Sequence, residues 1–137
     1  MDAPEIFNLL ESPLTETNLI EASAGTGKTY AVEGIFLRLL LERGLSVKEI
    51  LVVTYTVAAT EELRDRIRGR VRAAVAAFTS GGHDDPFLDG LVRRTTAREE
   101  ALRRLRAALR DFDEAPIHTI HGFCQRALRE HAFETRG

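Results

Sequence analysis

The reading turns on one stretch, Ala22-Ser23-Ala24-Gly25-Thr26-Gly27-Lys28-Thr29. Just before it, Asn18-Leu-Ile-Glu-Ala22 has the make-up of a short buried strand. Just after it, Val32, Ile35, Phe36, Leu39 and Leu40 recur at helical spacing. A Gly-Lys-Thr ending held between a strand and a helix is the setting of a phosphate-binding loop. Small residues let the backbone wrap closely around an anion, so the amides from Gly25 to Thr29 converge on it beside the positive end of the helix. In that geometry the loop from Ala22 to Thr29 cradles a nucleoside triphosphate. Lys28 serves as the catalytic lysine on the β and γ phosphates, and the Thr29 hydroxyl ligates Mg²⁺. The first position holds Ala22 where the strict pattern has glycine. A dinucleotide fingerprint is excluded, because Tyr30 fills the place where a small residue must let helix and strand pack.

Working outward, the chain continues as alternating elements. Gly44 stands where a helix-ending glycine belongs. Ile50-Leu-Val-Val-Thr54 reads as a second strand, continuous in its hydrophobicity like a parallel strand covered on both faces. Leu63, Ile67, Val71, Ala74 and Phe78 make the next helical stripe, ending near Thr79. Residues 80–90 are rich in glycine and aspartate and read as a loop. Thr96 and Glu99 have capping-box spacing, Leu102, Leu105, Leu109 and Phe112 form a seam, and Pro116 stops that helix. Ile117–Ile120 reads as a short strand and Phe123–His131 as a final helix. The fold expected is therefore α/β, with parallel strands flanked by helices and a helical insertion over about 80–112.

Composition limits the alternatives. The chain has 137 residues, 44% of them hydrophobic and 29% charged, enough to build a core. No uncharged apolar run approaches the ~18 residues of a membrane span. The acidic start Met1-Asp-Ala-Pro-Glu5 lacks the pattern of a secretion signal. One cysteine, Cys124, leaves no internal disulfide, in keeping with a cytoplasmic protein. The net charge of −2 hides an uneven distribution, with four basic and eight acidic residues in 1–60 against fifteen and thirteen in 61–137.

Two further constellations carry chemistry. Thr54-Tyr55-Thr56 ends the second strand, where α/β sheets place their ligands, and sets an aromatic between two hydroxyls. His118-Thr119-Ile120-His121-Gly122-Phe123-Cys124 has histidines and a cysteine but no companion pair at zinc spacing. A hydroxyl and an imidazole beside a glycine suit contact with a phosphate backbone better. Asp113-Glu114 follows a charged helix end rather than an apolar strand, so it does not read as the acidic pair that completes a Mg²⁺ site.

Glu21–Thr29, Ile50–Arg68 and Phe112–Leu128, in that order, resemble the amino-terminal part of the RecB branch of UvrD/Rep-type superfamily 1A DNA helicases. The length of chain between Thr56 and Thr119 favours the RecB or AddA branches over UvrD/Rep. The resemblance implies a partial P-loop NTPase (RecA-like) domain 1A across residues 1–137, with ATP and Mg²⁺ as cofactors. It also implies a single-stranded DNA track touched by Thr54, Tyr55, Thr56, Thr119, His121 and Phe123. The second acidic motif, the second RecA-like lobe and the nuclease domain of such proteins are not readable here. RecC- and RecD-like subunits are the partners implied, in double-strand-break repair and recombination. The portion alone is expected to bind without turnover; a standalone interaction module is the competing reading.

Arg64, Arg66, Arg68, Arg70 and Arg72 crowd one helix. Glu61–Arg64, Glu62–Arg66 and Asp65–Arg68 have the spacing of local pairs, so the expectation is a solvated amphipathic face.

Overall fold

The computed structural model describes residues 27–136, with side chains over 30–130. The expected strand at 18–22 and loop residues Ala22–Thr26 lie outside the described residues. Helix α1 (Gly27–Glu42) is followed by a 3-10 turn (Val47–Glu49) and strand β1 (Val52–Thr54). Helices α2 (Val57–Ser80), α3 (Pro86–Arg94) and α4 (Arg98–Arg110) come next. A second 3-10 turn (Phe112–Glu114), strand β2 (Ile117–Thr119) and helix α5 (Ile120–Arg136) complete the order. This is a mixed α/β arrangement, and β1 and β2 pair in parallel.

Helix α2 is the central strut. Its Leu63, Ile67, Val71, Ala74 and Phe78 are all buried, as the spacing requires, and the helix packs on α1, α3 and α4. From α1 the core takes Val32, Phe36, Leu37 and Leu40, and from α4 it takes Ala101, Leu105 and Ala108. Phe36 and Phe112 meet with ring centroids 6.3 Å apart. Each fully buried side chain of this size contributes about 1.5–3 kcal/mol relative to exposure. Leu37 lies off the expected α1 stripe because α1 buries more than one face.

Turn chemistry explains where the helices end. Gly44, at φ +65°, takes the left-handed conformation after α1, and Arg104 Nη1 donates to the Leu41 carbonyl at 2.9 Å. Gly81, at φ +92°, ends α2, its amide donating to the Ala77 carbonyl. Both are conformations a side chain would strain. Residues 80–90 do not form a simple loop, since α3 begins at Pro86. Asp85 Oδ1 accepts from the amides of Phe87 and Leu88, and proline occupies the opening turn. The Thr96/Glu99 capping box is likewise not formed: Ala97 is the cap of α4, with no side-chain bond. Ser46 and Glu49 make a capping box instead, at the first 3-10 turn.

The arginine-rich face of α2 is tied to other elements rather than simply solvated. Arg66 does reach Glu62 at 3.4 Å, but it also pairs with Glu33 of α1 at 3.1 Å. Arg68 pairs with Asp113 at 2.8 Å and lies over the Phe112 ring at 5.1 Å. Arg64 donates to the Ile117 carbonyl at 2.9 Å. Sequence spacing cannot reveal partners this distant along the chain.

Asp85 caps α3 and also pairs with Arg70 at 3.0 Å. Burial works to raise its pKa, but the Leu88 amide, Arg70 and the Phe87 amide together hold it below the ordinary carboxyl value. A lowered folded-state pKa means the contribution is present above the unfolded value and lost as pH falls through the folded one. Asp85→Ala should therefore lower stability by about 1–2 kcal/mol at neutral pH. In urea titrations the gap between wild type and variant should close as the solution is acidified; a gap that stays constant would contradict the ionised cap.

Candidate nucleic-acid and nucleotide site

β1 and β2 run side by side in a register that sets Val52 opposite Ile117, Val53 opposite His118 and Thr54 opposite Thr119. Two segments more than sixty residues apart therefore end at the same edge. Each strand passes almost directly into a helix, β1 into α2 and β2 into α5. Two helix N-termini, with their positive dipole ends, stand next to one another there.

Thr54 is buried, only 1% exposed, and its hydroxyl is bonded to Thr60 Oγ1 and to the Thr56 carbonyl. Its side chain holds the turn and cannot itself touch a ligand. Tyr55 is 60% exposed and Val57 67% exposed, so the turn presents both outward. Thr56 is the cap of α2, its Oγ1 accepting from the Ala59 amide at 3.0 Å. Thr119 does the same for α5, accepting from the Gly122 amide at 3.0 Å. A Cβ on Gly122 would lie 3.0 Å from that Thr119 oxygen, a tight contact that would press on the cap. Both capping hydroxyls keep their own hydrogen to donate. His121 is exposed and Phe123 half-buried in the first turn of α5.

Between these helices lies a cleft of about 370 Å³. Helix α2 lines one wall with Glu61, Arg64 and Asp65; His118, Thr119 and Arg126 line the other. Arg126 was not singled out in the sequence, because its position eight residues beyond His118 carries no motif signal. Here its Nη1 lies 3.4 Å from His118 Nε2. Burial first, then the charges of Arg126 and Arg64, push the His118 pKa below the ordinary imidazole value. His118 is thus neutral at physiological pH, and Arg126 carries the charge on that wall.

Of the expected phosphate-binding loop only residues 27–29 are described, and those by their backbone. Helix α1 spans Gly27–Glu42, placing Lys28 and Thr29 in its opening turn, where amide donors point out of the helix end. That backbone arrangement fits a phosphate group.

The UvrD/REP helicase N-terminal domain matches residues 4–136. The chain belongs to that family. Among similar proteins, the RecBCD enzyme subunit RecB of Escherichia coli is 44% identical over 142 residues, covering 98% of this chain. The same subunit from Haemophilus influenzae is 44% identical and from Mycobacterium tuberculosis 41%, each covering 94% of the chain. The chain spans about 12% of the length of these relatives. The resemblance to the amino-terminal part of RecB therefore holds, and this family member is a RecB-like helicase N-terminal region. Among the described residues no helix is long and apolar enough to cross a membrane.

An NMR titration of His118 should give a midpoint below that of an ordinary histidine, and Arg126→Ala should raise it by removing a facing positive charge. An unchanged midpoint in the variant would show that the two groups do not face each other.

Proposed function

We propose that the chain forms the opening part of motor domain 1A, a RecA-like P-loop fold, in a RecB-like ATP-dependent DNA helicase and exonuclease subunit. The observation that carries this reading is the parallel register that sets the Thr54–Thr56 turn beside the Thr119–His121 turn. One continuous edge then offers two helix ends, two capping hydroxyls, an imidazole and an exposed aromatic. That is the chemistry of a sequence-tolerant single-stranded DNA track, in which helix ends take phosphates and rings take bases. In this reading Tyr55 stacks on a base, while Thr56, Thr119 and His121 contact the backbone. Thr54 positions the turn, and Phe123 supports the second segment from its half-buried place.

ATP with Mg²⁺ is the proposed cofactor, held by residues 22–29. Lys28 reaches the outer phosphates, and the Thr29 hydroxyl supplies one oxygen ligand to the metal. When bound, the nucleotide supplies the energy that drives movement along DNA. These residues supply binding and orientation, and by themselves bind without turnover. The longer protein would act in the cytoplasm with RecC- and RecD-like subunits in double-strand-break repair and recombination.

Two substitutions test the two halves separately. Lys28→Ala should abolish the rise in melting temperature that a magnesium–ATP analogue gives the wild type, since stabilisation follows ligand affinity. Tyr55→Ala should weaken binding of a single-stranded oligonucleotide by about 1–3 kcal/mol, measured by fluorescence anisotropy at low salt. Unchanged stabilisation in the first, or unchanged affinity in the second, would remove that half of the proposal.

A further inference from the structure

Arg70, midway along α2, holds three elements at once. Its guanidinium carbon lies 5.0 Å from the centre of the Tyr30 ring. Its Nε lies 3.2 Å from Glu33 Oε1, and its Nη1 lies 3.0 Å from Asp85 Oδ2. Tyr30 follows Thr29 directly, and Glu33 sits one helical turn further along α1. The Tyr30 ring in turn meets Phe87 of α3 edge-on, with centroids 6.3 Å apart. The group is well covered, with the Glu33 side chain 6% exposed and that of Arg70 16%. Burial raises the Glu33 pKa even though Arg66 and Arg70 both work to lower it, so this carboxylate depends on its cations. Arg70 Nε is buried without a hydrogen-bond partner among the described residues, so its approach to Glu33 is a charge contact off the bonding axis.

Two residues earlier the same helix carries a similar clamp that leads elsewhere. Arg68 covers the Phe112 ring at 5.1 Å and pairs with Asp113 at 2.8 Å. Those partners belong to the 3-10 turn before β2, and Phe112 meets α1 at Phe36, about two turns beyond Thr29 rather than in its opening turn.

We infer that Arg70 is a positioning residue for the phosphate-binding turn. By pinning Tyr30 and Glu33 against α2 and α3, it fixes the direction of the first turns of α1. It thereby fixes the line along which the amides of residues 27–29 meet an anion. Convergent amides bind a phosphate well when they are held in place beforehand, because little ordering remains to be done on binding. A planar guanidinium that stacks on a ring while meeting two carboxylates is suited to that task, and an ammonium is not. This role rests on the nucleotide reading proposed above.

The test compares the two clamps. A fluorescent ATP analogue with Mg²⁺ is titrated into wild type, Arg70→Met, Arg68→Met, Lys28→Ala and the double variant Glu33→Gln/Arg70→Met, well below each melting temperature. Arg70→Met should weaken binding about tenfold. Arg68→Met should lose thermal stability but keep wild-type affinity. The double variant removes the buried Glu33 carboxylate together with its cation and leaves Asp85 on the Phe87 and Leu88 amides; it should also lose affinity, so it decides the matter if the single change does not fold. Equal affinities for the Arg70 and Arg68 variants would overturn the positioning role while Lys28→Ala still loses binding. If Lys28→Ala binds as tightly as wild type, or wild type binds nothing, the nucleotide reading falls and the role of Arg70 falls with it.

Discussion

A three-residue parallel ladder is the constraint on which the site depends. Pairing Val52–Thr54 with Ile117–Thr119 costs the ordering of a long intervening crossover, and three residues of ladder cannot offset that alone. An isolated pair of short strands is marginal in water. Here the crossover itself supplies the balance. Helix α2 packs on both strands and on α1, and Arg64 bonds the Ile117 carbonyl from above. The Val52 amide adds a bond to the Pro116 carbonyl at 3.0 Å. Because side chains alternate along a strand, a slip of one residue would turn Thr54 outward and unseat the bonds it makes with Thr60 and Thr56.

Much of this is legible in the amino-acid sequence. The α2 stripe is buried residue for residue, and the strand after Pro116 appears where its composition put it. Helix α3 was hidden because Asp84-Asp85-Pro86 is a turn signal as well as a helix start, and only the following Phe87, Leu88, Leu91 and Val92 face distinguishes the two. The partners of the α2 arginines could not be read because Glu33, Asp85 and Asp113 lie far along the chain. For the site, the motif residues were nameable one by one. That Thr54 faces inward while Tyr55 faces outward, and that Arg126 joins His118 across a cleft, follows from strand pairing and helix placement.

The charged residues divide by what they do. Arg66, Arg68 and Arg70 each have a carboxylate and bind α2 to its neighbours, whereas Arg64 and Arg126 line the cleft with no carboxylate partner among the described residues. A small net charge thus coexists with a cleft of mixed sign, in which Arg64, Arg126 and a neutral His118 share the opening with Glu61 and Asp65. The exposed pair of Arg68 with Asp113 is individually worth little; the pairs on the covered Glu33 fix α2 against α1.

The most direct measurement is an amide chemical-shift map of the protein titrated with a short single-stranded oligonucleotide at low salt. The expected result is that residues 55–57 and 119–123 shift together along a single binding curve, with α3 and α4 unmoved. Shifts confined to one of the two segments, or centred on α3 and α4, would contradict a shared surface built by the parallel pairing.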